Sequence, residues 1–379
     1  TVTVLLEGEP LEITTYRVDG VYSDARHPDG VTFTRSLRQD AARRDFTINA
    51  MAWSPSHGLC DPFGGTDDLT RGILRCVGNP TERLTEDALR ILRGVRFASE
   101  LGFAIEENTA AAMRRQLVRL SCVAAERVRE ELTRLLCGRW AQRTLLKYND
   151  IIGAALPELV PMFGCTQDNP HHCYDVWGHT VRAVGQVPSE PCLRWAMLLH
   201  DSGKPACKTV DEQGIGHFRG HPKQSRALAA TLLPRLRFSK QDTERILLLV
   251  EQHDRPLGDS EKLVRRSLAR LGEARFRDLL MIKKGDAVGQ NTQPWDVGTL
   301  CATERMLNEV LRQNACLSLR QLAVNGHDMQ ALGLGGAAIG EMLRYLLDAV
   351  LDDESRNRRE ILLRLARTEM EENYGQHRE

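Results

Sequence analysis

The chain has 379 residues, of which 42% are hydrophobic and 27% charged, and its formal net charge is zero. This length suggests roughly two to four domains, and the composition is ordinary for a protein with packed cores. The charge balance argues against a surface that attracts nucleic acid everywhere, but it permits local basic patches.

No membrane segment or targeting signal is apparent in the sequence. No apolar run approaches the roughly 20 residues of a membrane span, and no signal peptide is visible. The 10 cysteines are scattered from Cys60 to Cys316 and form no C-x-x-C pair or zinc-finger spacing. This pattern favours reduced thiols in a cytoplasmic protein. We infer no membrane partner and no obligate protein partner.

The first 80 residues have a mixed α/β pattern. Val2–Leu6 and Glu12–Tyr16 are short β-rich runs around a Gly-Glu-Pro turn, which predicts a hairpin. Residues 22–34 read as a loop, 46–52 as a short helix and 73–77 as a strand. Because the sequence opens abruptly on a strand-like run without an initiator methionine, we expect the natural N-terminus to lie upstream.

From about residue 81 the pattern is helical. A helix is predicted over 86–101 and ends at Gly102, a typical helix stop. Further helices are predicted over 107–119, 124–137 and 140–150, followed by a proline-containing linker over 157–170. A second helical set covers about 174–290, and a third covers 296–313, 336–351 and 356–372. The sequence therefore predicts an α+β protein, with strands at the front and helices behind.

A dense polar string, RRDFTINA, occupies residues 43–50. Arg43 and Arg44 have the planar donors that grip a triphosphate, and Asn49 suits a sugar hydroxyl or a loop contact. The alternative is a capped helix start with solvated arginines. Taken alone, the string leaves the two interpretations even.

A second string, EDALRILRGVR, occupies residues 86–96. Asp87 and Arg90 lie three apart, so one helix would place them side by side. An aspartate accepts from the exocyclic amine of C or A and an arginine donates to a ring nitrogen, so the pair would reject G and U. Arg93 and Arg96 continue the row toward a phosphate or primer. The alternative is a surface helix with a Glu86–Arg90 ion pair.

The second helical set carries several histidines and aspartates. His179 precedes an apolar helix that ends in His200-Asp201, and Asp286 lies on a later predicted helix. Imidazoles and carboxylates spread over helices can converge on one divalent ion. A single histidine here would more often be structural, but the ordered set favours metal binding.

Five strings occur in one order: EITTYR at 12–17, YSDARHP at 22–28, RRDFTINA, DPFGG at 61–65 and EDALR at 86–90. Over residues 1–135 this order resembles the head and neck of class II CCA-adding enzymes and bacterial poly(A) polymerases. The resemblance implies a tRNA nucleotidyltransferase that uses CTP and ATP. It implies that the incoming nucleotide is bound by Arg44, Asp87, Arg90, Arg93 and Arg96, with Asp87 and Arg90 selecting C and A.

One departure from the family concerns the catalytic metal ligands. The family's head begins with a Gly-Gly motif and an Asp-x-Asp pair that holds two Mg²⁺ ions, and this sequence contains no Asp-x-Asp. We therefore expect that the catalytic segment is missing, that the head is truncated, and that the 379-residue chain is inactive. Glu12, on a predicted strand, is a candidate third carboxylate.

The histidine-rich region resembles an HD phosphohydrolase domain. The resemblance places His179, His200, Asp201 and Asp286 in the ligand positions for a divalent transition metal. His221 and His253 fall where related domains have further ligands or phosphate contacts. The resemblance implies phosphomonoesterase or 2′,3′-cyclic phosphodiesterase activity, although some HD domains of this family do not turn over.

These patterns and the resemblances predict four domains: a partial head over 1–80, a helical neck and body over 81–165 that binds nucleotide and tRNA, an HD metal-binding domain over 166–292 and a helical tail over 293–379. The tail resembles the C-terminal region of HD-containing CCA-adding enzymes. Two alternatives stay open, a poly(A) polymerase and a stand-alone HD phosphohydrolase with a degenerate RNA-binding front. Reading the gene upstream of Thr1 would separate the transferase from the stand-alone hydrolase.

Overall fold

A computed structural model describes residues 2–20, 30–168, 173–290 and 295–374. The string predicted at 22–28 lies outside these residues. The chain divides into two compact units, Thr1–Glu251 and Gln252–Glu379. The finer division into four domains stays a prediction.

The chain begins with the predicted hairpin. Strand β1 (Val2–Leu6) pairs antiparallel with β2 (Glu9–Ile13). The turn consists of Glu7 and Gly8, both with positive φ, which suits a two-residue hairpin turn. The bounds predicted for the second strand, Glu12–Tyr16, are therefore too late in the chain, because Glu9 and Pro10 pair with β1 and do not form the turn.

The other strands are short, and the described residues contain five two-stranded sheets. The predicted helix over 46–52 is a single 3-10 turn, Thr47–Asn49. Phe46 is instead held in a bridge with Cys76. The remaining strand pairs are β3 (Arg17–Asp19) with β4 (Val31–Phe33), β5 (Ala52–Ser54) with β6 (Gly58–Cys60), β7 (Ile73–Leu74) with β8 (Ala104–Ile105), and β9 (Thr209–Val210) with β10 (Gly216–His217).

The first unit is otherwise helical. Its 3-10 segments include Leu117–Cys122 and Pro157–Met162. Its helices are α1 (Leu37–Ala42), α2 (Gly65–Arg71), α3 (Pro80–Glu86), α4 (Leu89–Leu101), α5 (Glu107–Arg115), α6 (Ala125–Cys137), α7 (Ala141–Lys147), α8 (Asn149–Ala155), α9 (Val176–Gln186), α10 (Pro191–Leu199), α11 (Lys204–Cys207), α12 (His221–Arg235) and α13 (Lys240–Gln252), whose last residue begins the second unit.

The helix predicted over 86–101 is interrupted at Asp87. This residue has an extended backbone, with φ −144° and ψ 105°, and it ends α3 before α4 begins. The Asp87 carboxylate accepts the N–H of Leu89 at 3.0 Å, a local bond that competes with helix formation. Asp87 and Arg90 are therefore not neighbours on one helical face, and that part of the prediction is wrong.

Helix α4 is the centre of the first unit. Its buried side chains include Ile91, Leu92 and Val95, and the helix packs against α6, which in turn packs against α10. Gly102 ends α4 in the left-handed conformation, as predicted. Both candidate sites described below therefore stand on elements linked through a common core.

The second unit is helical and has its own core, which includes Met329, Leu346, Val350 and Leu362.

For the chain as a whole, the predicted α+β organisation, with antiparallel strands followed by helices, is confirmed. Within the described ranges, no helix is both long enough and apolar enough to cross a bilayer.

The helices of the second unit are α14 (Glu261–Leu271), α15 (Glu273–Gly289), α16 (Trp295–Arg312), α17 (Gly326–Ala331), α18 (Ala337–Asp352) and α19 (Arg359–Tyr374).

Candidate functional site

A cavity of about 470 Å³ lies where α3 ends and α4 begins. The segment after α1, the α3–α4 junction and α6 contribute its walls. Four of the five residues predicted to bind nucleotide line it: Arg44, Asp87, Arg90 and Arg93. The other lining residues are Arg43, Asp45, Asn49, Phe97 and Arg127.

Arg93 is held from two sides of the cavity. Its guanidinium lies 2.6 Å from the Asp45 carboxylate and 3.8 Å from Glu131. Burial alone would raise the pKa of Asp45, but the charge of Arg93 and hydrogen bonds from Asn49, Arg93 and Phe46 outweigh it and lower that pKa. Asp45 is therefore an ionised anchor that fixes Arg93 at the cavity wall.

Asp87 pairs with an arginine that the sequence pattern did not indicate. Its Oδ2 accepts a hydrogen bond from Arg127 on α6 at 2.8 Å. Its Oδ1 accepts the Leu89 N–H, so the carboxylate is oriented from both ends. Since each ionised carboxylate oxygen has more than one acceptor position, the group retains capacity to accept from a ligand.

Arg90 is largely occupied by protein groups. Its Nη1 donates to Glu86 at 2.6 Å and to the Arg83 carbonyl at 2.8 Å, and its Nη2 donates to the Arg43 carbonyl at 3.0 Å. The Glu86–Arg90 ion pair, the alternative for this segment, is therefore formed. Of five guanidinium N–H groups, two are left for a ligand.

Arg44 is the more exposed of the two arginines after α1. Its guanidinium lies 3.6 Å from Asp40, and Nη1 donates to the Asn49 carbonyl at 3.4 Å. Arg43 is held more tightly, with Nη2 at 2.8 Å from Asp40. Arg44 therefore has the looser attachment and the freer donors at the cavity mouth.

Arg96 does not line the cavity. Its side chain is 2% exposed, lies 2.7 Å from Glu131 and stacks over Phe97 at 4.0 Å. Burial lowers the pKa of Arg96 and raises the pKa of Glu131, because a low-dielectric interior penalises both charges. Arg96 and Arg93 therefore share Glu131 as an ion-pair partner, and the predicted contact of Arg96 with a phosphate or primer stays a prediction.

Glu12 lies on an exposed strand. It is on β2 as predicted, opposite Thr3 of β1. It is not among the residues that line the cavity.

A second cluster forms where α9 and α10 meet. Nε2 of His179 lies 3.3 Å from Nε2 of His200, and both nitrogens lie within 3.4 Å of Oδ2 of Asp201. These three side chains are buried and offer ligand atoms within 4.8 Å of one another. Nε2 of His221 lies 3.2 Å from the other Asp201 oxygen. Three of the four predicted metal ligands are therefore together.

Backbone carbonyls set which ring nitrogens face this cluster. Nδ1 of His200 lies 2.7 Å from the Met197 carbonyl, and Nδ1 of His221 lies 2.9 Å from the Phe218 carbonyl. A carbonyl only accepts, so Nδ1 carries the proton and Nε2 presents a lone pair, as in metal sites. Burial would raise the pKa of Asp201, but His200 and Lys204 hold it well below its ordinary value.

Asp286, the fourth predicted ligand, lies on α15 in the second unit. Its role as a ligand stays a prediction. His253 is also a residue of the second unit and is buried there.

Two residues that shape the first cavity have no predicted role in the sequence pattern. Arg127 looks like one of many arginines coating helices, although it pairs with Asp87 across a separation of 40 positions. Asp45 belongs to the string at 43–50, but its neighbours Arg43 and Arg44 dominate the interpretation of that string. The sequence feature that could have identified Arg127 is its position four residues before Glu131. This spacing puts both residues on the face of α6 that packs on α4.

Two family models match separate segments in the first half of the chain. Residues 1–75 match the poly(A) polymerase head domain. Residues 102–161 match a model described as a probable RNA and SrmB-binding site of polymerase A. The cavity residues Arg44 and Asp45 fall inside the first match, and Arg127 inside the second.

Relatives with assigned names agree with these models. An A-adding tRNA nucleotidyltransferase of Deinococcus radiodurans is 35% identical in an alignment of 340 residues that covers 85% of this chain and 77% of the relative. The CCA-adding enzyme of Geobacillus stearothermophilus is 46% identical in an alignment of 229 residues that covers 56% of this chain and 53% of that enzyme. A CCA-adding enzyme of Enterococcus faecalis is 49% identical over 138 residues, 36% of this chain, and the match spans only 34% of that enzyme.

A solved structure shares the fold. The Bacillus stearothermophilus CCA-adding enzyme in complex with CTP superimposes with a TM-score of 0.68 at 24% identity, covering 99% of this chain and 82% of that one. The predicted resemblance is therefore confirmed at the level of family and fold. The chain belongs to the family of class II CCA-adding enzymes and poly(A) polymerases, and it carries an HD-like histidine–aspartate cluster.

Proposed function

We propose that this protein is a tRNA nucleotidyltransferase that adds C and A to tRNA 3′ ends from CTP and ATP without a nucleic acid template. The observation that carries this proposal is the cavity at the α3–α4 junction, where five arginines and two aspartates face one space. That donor and acceptor set suits a triphosphate joined to a base with an exocyclic amine.

The phosphates are assigned to Arg44 and Arg93. Arg44 is half-exposed and loosely held, so its donors can turn toward a triphosphate. Arg93 is fixed by Asp45 on one edge, which leaves other N–H groups of its fork for a second ligand. One loosely held and one fixed guanidinium would together bind and position the triphosphate.

The base is assigned to Asp87 and Arg90. Arg127 orients Asp87 by a hydrogen bond to Oδ2, so the carboxylate can accept from the amine of cytosine or adenine. Arg90 offers its two remaining N–H groups to the ring nitrogen. A uracil or guanine presents an oxygen where Asp87 needs a donor, and this mismatch is the basis of selection.

The cavity residues do not fit a two-Mg²⁺ site. Asp45 and Asp87, the carboxylates at the cavity, are each ion-paired with an arginine, and Glu12 lies on an exposed strand. Residues 1–379 alone are accordingly proposed to bind nucleotide without extending a tRNA, since in-line transfer needs carboxylates that hold the metal ions.

An extension assay tests this proposal. The 379-residue chain is given radiolabelled CTP and ATP with a tRNA that lacks its CCA end, once alone and once fused behind the Asp-x-Asp segment of a CCA-adding relative. The fusion is expected to extend the tRNA, and the 379-residue chain alone is not. Failure of a folded fusion would overturn the assignment, and robust extension by the 379-residue chain would place metal ligands among residues to which we assign only structural roles.

A second candidate is addition of A only. It is favoured by the relative that aligns with most of the chain, which is named as an A-adding enzyme. A tRNA that already ends in CC separates the two candidates. An A-adding enzyme extends only this substrate, whereas a CCA-adding enzyme also extends the tRNA that lacks both cytidines. A poly(A) polymerase would instead add long A tracts.

The histidine cluster is proposed to hold one divalent transition metal through His179, His200 and Asp201, with Asp286 as the predicted fourth ligand. Two imidazole Nε2 atoms and a carboxylate oxygen form a donor set that suits such an ion. A bound ion would activate water for phosphate ester hydrolysis. The protein's part is to keep Asp201 ionised and the His200 imidazole oriented.

Elemental analysis tests the metal site. Wild-type protein is expected to carry about one ion per chain, and a His200→Ala/Asp201→Ala variant is expected to carry almost none. A His217→Ala variant is the matched control, because His217 pairs with Asp211 in the β9–β10 hairpin. Equal metal content in all three proteins would overturn the proposed metal site.

A further inference from the structure

A buried glutamine lies in the segment that precedes α9, and both ends of its amide group are hydrogen-bonded. Gln167 is 2% exposed. Its Oε1 accepts a hydrogen bond from Nζ of Lys204 at 2.9 Å. Its Nε2 donates to the Tyr174 carbonyl at 3.1 Å. Because the nitrogen is directed at a carbonyl, which only accepts, the oxygen is the atom that faces the lysine.

Lys204 connects this glutamine to the histidine cluster. Its Nζ lies 2.7 Å from Oδ2 of Asp201. The same oxygen lies within 3.4 Å of Nε2 of His179 and of Nε2 of His200. The Lys204 ammonium and a metal ion held by the cluster would therefore use the same carboxylate oxygen.

The ammonium group of Lys204 is enclosed by protein. The residue is 7% exposed, and its Nζ lies 5.5 Å from the centre of the Phe218 ring. A buried cation that loses its partners is costly, so this ammonium has to stay paired. With Oδ2 of Asp201 given over to a metal ion, Oε1 of Gln167 is the hydrogen-bond acceptor that remains to it.

The backbone on either side of Gln167 is also held in place. The Gly216 N–H of β10 donates to the Asp168 carbonyl at 2.8 Å. A Cβ at Gly216 would approach the Gln167 carbonyl oxygen to 2.2 Å, so this close contact requires glycine. Further back, the Gly164 N–H donates at 2.7 Å to Asp175, the residue that caps α9. Gln167 is therefore a fixed acceptor and not a side chain that happens to lie near the lysine.

We propose that Gln167 is a positioning residue of the proposed metal site and that it acts through Lys204. By holding the ammonium beside Asp201, the glutamine limits how strongly this internal cation competes with a metal ion for Oδ2. The inference rests on the proposed function, which assigns a metal ion to the histidine cluster. Residues that orient metal ligands from behind change metal affinity by about 10–100-fold when they are replaced.

The test measures the dissociation constant for Co²⁺, by competition with a fluorescent chelator, on the 379-residue chain after its metal has been removed. Gln167→Met keeps the length of the side chain but removes the amide acceptor. The ammonium then depends on Asp201 alone, so Co²⁺ affinity should fall about tenfold or more. Gln167→Glu adds a charge that draws Lys204 away from Asp201, so its Co²⁺ affinity should equal or exceed that of wild type.

A double-mutant cycle separates positioning from a general loss of structure. Lys204→Met removes the ammonium, so adding Gln167→Met to it should change Co²⁺ affinity by less than about twofold. An equal loss with and without Lys204 would show a merely structural glutamine and would overturn the inference. If Lys204→Met does not fold, as thermal melts would show, the two single Gln167 variants decide. Lost packing would weaken binding in both, whereas positioning weakens it only in Gln167→Met.

A matched control and the wild type complete the experiment. Gln142 is another partly buried glutamine of the first unit, on α7 and outside the cluster, so Gln142→Met should bind Co²⁺ as wild type does. Absence of Co²⁺ binding by wild type would overturn the proposed metal site itself. Binding by wild type that Gln167→Met leaves unchanged would overturn this inference alone.

Discussion

Apolar side chains are exposed on the strands at the front of the first unit, whereas they are buried on the helices that carry the histidine cluster. On β1 and β2, Leu5 is 73% exposed and Ile13 61%. On α9 and α10, Val181 and Trp195 are fully buried. The strands are therefore held mainly by backbone pairing and turn geometry, while the helices are held by a packed core.

This difference bears on the two candidate sites. The histidine cluster stands on buried helices, so its ligand atoms are fixed before a metal arrives. The nucleotide cavity takes Arg44 and Asp45 from the segment after α1 and its other walls from α4 and α6. We expect the metal site to be rigid and the nucleotide cavity to depend on ion pairs.

The largest expected effect is the loss of stability when a buried side chain is removed. Trp195→Ala should lower the free energy of unfolding by about 3–5 kcal/mol, because it empties a buried aromatic site. It would also remove the ring contact with Phe238 and the hydrogen bond to Thr133. Leu5→Ala, on an exposed strand, should cost about 0.5 kcal/mol or less. Urea denaturation measures the change in unfolding free energy for both variants. Equal changes would contradict this difference between the strands and the helices.

The next effect concerns metal. At a free metal concentration of about 100 times Kd, the ion should raise the unfolding free energy by about 2.7 kcal/mol, since it binds only the folded cluster. The His200→Ala/Asp201→Ala variant should gain almost nothing. Thermal melts with and without metal supply the measurement, and stabilisation of both proteins alike would locate the metal elsewhere.

A smaller effect concerns the ion pair that holds Arg93. Asp45→Asn should cost about 2 kcal/mol at about pH 7, because a partly buried arginine loses its carboxylate. The folded-state pKa of Asp45 is lowered from its ordinary 3.8, so its contribution is present above about pH 4 and is lost as the pH falls through the folded pKa. Wild type and variant should therefore converge in stability below that pH. A gap that does not narrow as the pH falls below about 4 would contradict this ion-pair role.

The sequence anticipated the features that depend on local pattern. The front hairpin, the helix stop at Gly102 and the grouping of His179 with His200-Asp201 follow from turn residues, helix signals and motif order. The break at Asp87 could not be seen, because a helical pattern runs through it and the competing Leu89 bond depends on backbone geometry.

Long-range ion pairs were the other features beyond the reach of sequence. Arg127 reaches Asp87 and Glu131 reaches Arg96 only because α6 packs on α4. The burial that removes Arg96 from the cavity has the same origin. A pattern of charges along one helix indicates which residues are available, but the packing of a second helix decides which ones face a ligand.

The central claim is that Asp87, oriented by Arg127, selects the base. Its most direct test compares binding of CTP, ATP, UTP and GTP by wild type, Asp87→Ala and Arg127→Ala, with Asp67→Ala, an exposed acidic residue of α2, as the matched control. Wild type and the control should prefer CTP and ATP. Asp87→Ala should lose about 1–3 kcal/mol of that preference, and Arg127→Ala should lose part of it. Unchanged preference in Asp87→Ala would contradict the claim.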